Sequence, residues 1–139
     1  MKKLTLLKSL LLAILLVGSV NVFGQTYLLQ EDFSSITTGD NTTTGGSSSA
    51  WNGNANFPTV NKAYQAGGAV RIGTGSATGS ITSKTLDLSV NGGNFSVSFD
   101  VKGWTTVEGN ITVTVTGLTA QTVTYTAVMS GNFENKVLN

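Results

Sequence analysis

Apolar and polar residues alternate with a period of two along much of the chain, most plainly where Phe95, Val97, Phe99 and Val101 interleave with Ser96, Ser98, Asp100 and Lys102. Successive side chains of a strand point to opposite faces, so this run predicts a strand with one buried and one solvated face. Ile111, Val113 and Val115 alternate with threonines in the same way, as do Val123, Tyr125 and Ala127. The turn residues at 117–121 predict that these two strands pair. Further strands are expected at 27–33, 69–72 and 79–84, with Leu86 and Leu88 inward beyond the last, and another begins at 134–138. Gly73, Gly75 and Gly79 punctuate the series. Helical periodicity is hard to find after residue 25, and about seven strands at regular spacing predict an all-β fold, an antiparallel β-sandwich.

Two stretches depart from the alternation. Residues 34–56 form a long polar segment, rich in Thr, Ser, Gly and Asn, that composition alone would make a linker. Trp51, Phe57 and the chain's single proline, Pro58, predict instead that its second half packs onto the domain. The other departure is the start. Lys2, Lys3 and Lys8 flank an apolar run at 10–17 that is short for a membrane span, and Val22-Phe23-Gly24 offers a cleavage context. Residues 1–24 therefore read as a signal peptide. The remaining chain, 25–139, is expected to be secreted as a single domain, extracellular or on the cell surface, with no membrane span after cleavage.

Removing the signal changes the charge. Five cations remain (Lys62, Arg71, Lys84, Lys102 and Lys136) against all seven acids, so the whole-chain value of +1 becomes slightly negative. Scattered cations in a faintly acidic domain offer no footprint for a phosphate backbone, and nucleic acid is not an expected partner. Cysteine is absent, so the domain must hold without disulfides. With no histidine either, the sequence contains no Ser-His-Asp, Cys-His or His-metal arrangement. Hydrolysis by two carboxylates remains formally available to Glu31, Asp32, Asp87, Asp100, Glu108 and Glu134. These read as solvated strand-edge and turn acids, and no enzymatic activity is expected. The pairs Gly45-Gly46, Gly67-Gly68 and Gly92-Gly93 read as turns, since none belongs to a phosphate-binding motif.

The run Ala63-Tyr64-Gln65-Ala66-Gly67-Gly68-Ala69-Val70-Arg71-Ile72-Gly73, followed by Gly79-Ser80-Ile81-Thr82-Ser83-Lys84-Thr85-Leu86-Asp87-Leu88-Ser89, resembles the jelly-roll modules of secreted and cell-surface proteins in bacteria with a type IX secretion system. Those modules are similar to carbohydrate-binding and cleaved-adhesin domains. Glu31-Asp32-Phe33 and the strand 95–101 fit the same pattern. The resemblance spans about 27–138 and implies a jelly-roll sandwich, here without the usual closing C-terminal strand, in a chain that is part of a longer protein. It also implies a structural calcium near the N-terminal strand, with Glu31 and Asp32 as contributors; Asp40-Asn41 could supply further oxygens, though nothing in the spacing requires it, and no other cofactor is expected. The sequons at Asn41, Asn94 and Asn110 match a glycosylation pattern, but the bacterial resemblance implies no modification there.

Aromatic side chains are the remaining source of function, because a sugar ring stacks an apolar face on Trp or Tyr while its hydroxyls meet Asn, Gln, Asp or Arg. Trp104 falls on the polar face at the end of the 95–101 strand, and Trp51 lies beside Asn52 and Asn54. These four are the candidate ligand residues, against the plainer reading of both tryptophans as packing groups. Tyr64 and Arg71 read as structural. The expected function is a secreted, non-catalytic binding or adhesion module for polysaccharide or a cell-surface glycan. The alternatives are a spacer domain of a longer surface protein and an accessory domain of a secreted hydrolase.

Overall fold

The computed structural model describes residues 26–128 and 131–139, and the expected signal peptide lies outside them. Nine short strands are found among the described residues: β1 (Ser49–Ala50), β2 (Thr59–Asn61), β3 (Ala63–Gln65), β4 (Val70–Ile72), β5 (Ser80–Thr82), β6 (Val97–Val101), β7 (Ile111–Val113), β8 (Gln121–Val123) and β9 (Glu134–Leu138). Every strand pairing is antiparallel. One sheet has the order β1-β3-β4, and β2-β5, β6-β9 and β7-β8 each form a two-stranded sheet. The described residues are thus nearly all-β, as the alternation predicts, with one short 3-10 turn at Val90–Gly93, but their sheets are small and do not close. No helix among the described residues is long and apolar enough to cross a membrane.

The β3-β4 hairpin follows from its turn. Gly67 and Gly68 take φ of 55° and 76°, the left-handed pair that a type I′ turn needs and that glycine adopts without a Cβ penalty. Ala66 N donates to Ala69 O at 3.0 Å across it. Residues 36–41 strap the turn from outside: Gly67 N donates to Thr38 O at 2.8 Å, Gly68 N to Ile36 O at 2.6 Å, and the Asn41 amide to Gly67 O. Part of the long polar segment is therefore bonded to a hairpin.

Beneath this hairpin sits a core of Ile36, Trp51 and Ala63, with Phe33, Phe57, Val60, Val70 and Ile81 packed against it. Phe33 meets Trp51 edge to face, with ring centroids 5.7 Å apart, and meets Phe57 tilted at the same distance. Trp51 N donates to Ala63 O at 2.9 Å. The second half of the polar segment is packed onto the body, as its aromatic residues predict.

The strand expected at 27–33 does not form. Phe33 has φ of 55°, which breaks an extended run, and the acids before it capture backbone donors. Glu31 Oε1 accepts from Phe33 N at 3.1 Å, and Asp32 Oδ1 accepts from Ser34 N at 2.9 Å. Local bonds of this kind compete with a sheet ladder. At the other end, the strand expected at 134–138 is β9, which runs beside β6 from Val97 opposite Leu138 to Val101 opposite Glu134. The two strands expected to pair across 117–121 do pair as β7-β8, but Gln121 already lies in β8 opposite Val113, and the strand ends at Val123 instead of running to Ala127.

Candidate functional site

Tyr64 and Arg71 are equally distant from the centre of the Gly67-Gly68 turn, so the type I′ hairpin sets them opposite one another in the β3-β4 register. Directly opposed residues share a face and lie within side-chain reach. Arg71, the only arginine in the sequence, places its Cζ 4.4 Å from the centre of the Tyr64 ring and 4.9 Å from that of Trp104. The aromatic pairs lie elsewhere, at Phe33–Trp51 and Phe33–Phe57. Tyr64 and Trp104 thus both lie against the one guanidinium, a cation–π arrangement.

The loop after β6 holds Trp104 in place. Gly103 N donates to Ala127 O at 2.9 Å, and a Cβ on Gly103 would lie 1.7 Å from Thr106 O, so glycine is needed for this close turn. The Glu108 carboxylate then gathers the turn, accepting from Trp104 N at 2.9 Å and Thr105 N at 3.0 Å and from the Thr105 hydroxyl. Glu108 N donates to the Tyr125 hydroxyl at 3.2 Å. Burial pushes the Glu108 carboxyl upward, but the Thr105 hydroxyl and the backbone donors of residues 104–106 outweigh it and hold its pKa below the usual range.

Among the described cations, Arg71 is the one set against two aromatic rings. Lys136 pairs with Glu134, Lys84 Nζ donates to Asn56 Oδ1 at 2.9 Å, and Lys102 Nζ lies 4.3 Å from the centre of the Phe133 ring. No carboxylate pairs with Arg71 among the described residues, and its Nε is enclosed without a hydrogen-bond partner. An enclosed donor left unsatisfied costs about 1–3 kcal/mol. A planar cation without a carboxylate partner, set against two aromatic rings, makes this surface suited to anionic groups.

The residues expected to bind ligand are dispersed. Trp51 is only 8% exposed and belongs to the core, while Asn52 is exposed beside it. Asn54 works internally: its Oδ1 accepts from Asn56 N at 3.0 Å and Phe57 N at 2.8 Å, and its amide donates to Glu31 Oε2 at 2.8 Å. Asn56 Nδ2 adds a second bond to the same oxygen at 3.0 Å. Glu31 is thus surrounded by N–H donors, which suit an anion, whereas calcium needs several oxygens. Asp32 turns to Ser34, and no group of three or more His, Cys, Asp or Glu side chains gathers among the described residues. These residues do not fit the calcium site that the resemblance implies.

Trp104 is the sequence candidate that reaches the stack, and its partners Tyr64 and Arg71 were read from sequence as structural. Their pairing is signalled by the equal spacing of Tyr64 and Arg71 about Gly67-Gly68; the approach of Trp104 has no sequence signal. A separate open groove of about 530 Å³ lies between β6-β9 and β7-β8, with Phe95, Val97, Val113, Val115, Leu118 and Leu138 along it. Comparison with protein-family models, curated proteins and solved structures found no match.

Proposed function

We propose that the chain is a secreted, non-catalytic binding module of jelly-roll type that holds polysaccharide or a cell-surface glycan on the Tyr64–Arg71–Trp104 surface. The observation that carries this reading is the Arg71 guanidinium, 4.4 Å and 4.9 Å from two aromatic rings and without a carboxylate partner among the described residues. Sugars present apolar ring faces to aromatic groups and hydroxyls to fixed polar ones. Trp104 is half-buried on a loop tied by Glu108 and Gly103, so little ordering remains to be done on binding. Antiparallel pairing and the family resemblance support the jelly-roll assignment, and the signal-like start supports secretion. The lack of His and Cys in the sequence supports a non-catalytic role.

Thermal unfolding of the full chain across a panel of soluble polysaccharides tests the reading, because a ligand of the folded state raises the midpoint, with a stabilisation of about 2.7 kcal/mol at a hundredfold excess over Kd. One glycan class is expected to raise it, and Trp104→Ala is expected to cancel that rise while leaving a cooperative transition. A midpoint that no glycan moves would favour the spacer-domain reading.

A further inference from the structure

We infer that the glycan received at this surface is acidic, and that Arg71 binds a uronate carboxylate on it; this rests on the binding-module reading above. A guanidinium is planar and carries five N–H donors in its plane. Here Tyr64 and Trp104 lie against it within 5 Å, Nε is enclosed without a partner, and Arg71, which is half-buried, makes no hydrogen bond through its terminal nitrogens among the described residues. With Nε enclosed, the hydrogen-bonding capacity left to Arg71 is that of the fork formed by its two terminal nitrogens. A carboxylate fits such a fork with two parallel, charge-assisted bonds, each about twice as strong as a bond between neutral groups. A neutral hydroxyl would satisfy one donor and leave the charge uncompensated.

The surroundings sharpen this choice. Arg71 is the sole arginine, and acids outnumber bases after residue 24, so a general attraction for polyanions does not operate. Recognition of an acidic sugar then depends on one local fork, with stacking on the adjoining rings supplying the remainder. The ligand class is a polysaccharide whose repeating sugars each bear a carboxylate, and a sulfated polymer lacking carboxylates is the counter-example.

The test is isothermal titration of the full chain with polygalacturonate and alginate, each beside its carboxyl-reduced form, and with dextran sulfate. At least one acidic polymer is expected to bind about tenfold tighter, or more, than its reduced counterpart. Arg71→Gln is expected to erase that difference, and Arg71→Lys to restore it only in part, because an ammonium has no fork. Equal affinity for acidic and reduced forms overturns the inference and leaves the binding-module reading standing. Dextran sulfate binding as tightly as the uronates overturns it in favour of charge alone. Failure of every polymer to bind overturns both readings. Should Arg71→Gln not fold, the acidic and reduced pairs on the unaltered chain decide.

Discussion

Residues 26–84 and residues 95–139 are built from the same antiparallel pairs but treat their apolar residues differently. In the first region, loop aromatics are inserted beneath short strands: Trp51 is 8% exposed and Ala66 only 1%, and Phe33 and Phe57 pack around the same centre. In the second, Val101, Val123 and Tyr125 are buried, yet Leu118 and Val137 remain 58% and 55% exposed. The two two-stranded sheets there, β6-β9 and β7-β8, face an open groove. Alternation gives each strand an apolar face, but a core needs something to cover that face. The first region supplies the cover from its loops, and the stack joins the regions, because Arg71 comes from one and Trp104 from the other.

The largest expected effect tests that contrast directly. Trp51→Ala should cost about 3–5 kcal/mol, the loss of a large buried aromatic, in chemical denaturation followed by circular dichroism. Leu118→Ser, at an exposed position of the second region, should stay within about 0.5 kcal/mol. Similar losses at both positions would break the contrast.

A smaller effect is expected at Glu31, which ties the N-terminal segment to the Asn54–Phe57 turn. Glu31→Ala leaves Phe33 N and the Asn54 amide without this acceptor and leaves the Asn56 amide only Gln30 O. The expected cost is roughly 1–3 kcal/mol, with denaturation midpoints as the measurement. An unchanged midpoint would mean that the aromatic cluster alone holds the segment.

The smallest effect concerns pH. The Lys136 ammonium, with Thr126 and Ala127 backbone donors, lowers Glu134 to about 2, whereas an unfolded glutamate titrates near 4.3. Because the folded value is the depressed one, the contribution is complete above about pH 4.3 and is lost as pH falls toward the folded value. Glu134 Oε2 accepts from Thr126 N at 2.7 Å and Ala127 N at 3.2 Å, so its protonation loosens the join between β9 and the chain after β8. Amide protection at Thr126 and Ala127 should fall across this acid window, and Glu134→Gln should remove the dependence. In the first region Asp40 is also lowered to about 2, chiefly by the Thr42 hydroxyl. Its bonds to Thr42 stay within one loop, so the same titration should leave protection at Ala63 and Ala66 unchanged.

Much of this architecture was legible in the sequence. Alternation at 95–101 and 111–115 corresponds to β6 and β7, and 134–138 to β9, whereas β8 lies earlier than the 123–127 run and reaches it only at Val123. The aromatic anchors predicted the packing of the polar segment, with Trp51 at its centre. The segment 27–33 was misread because Leu28, Leu29 and Phe33 suit a strand, while Glu31 and Asp32 bond to nearby backbone and divert the chain before a ladder begins. The site was legible only in part. Trp104 stood out as an aromatic at a strand end, but Tyr64 and Arg71 drew little notice, since a cation gains its meaning from what is absent around it.

What the sequence determined by itself is the set of local decisions: all-β alternation, the Gly67-Gly68 turn, and through it the opposition of Tyr64 and Arg71. These depend on backbone sterics and a period of two, which act over a few residues. The tertiary structure decided which aromatic residues became core and which a surface. Trp51 was drawn under the first hairpin by Phe33, while Trp104 was carried by the Gly103 turn to a cation on another sheet. Burial and charge pairing depend on residues distant in the chain, so composition and spacing leave both undecided until the strands are in place.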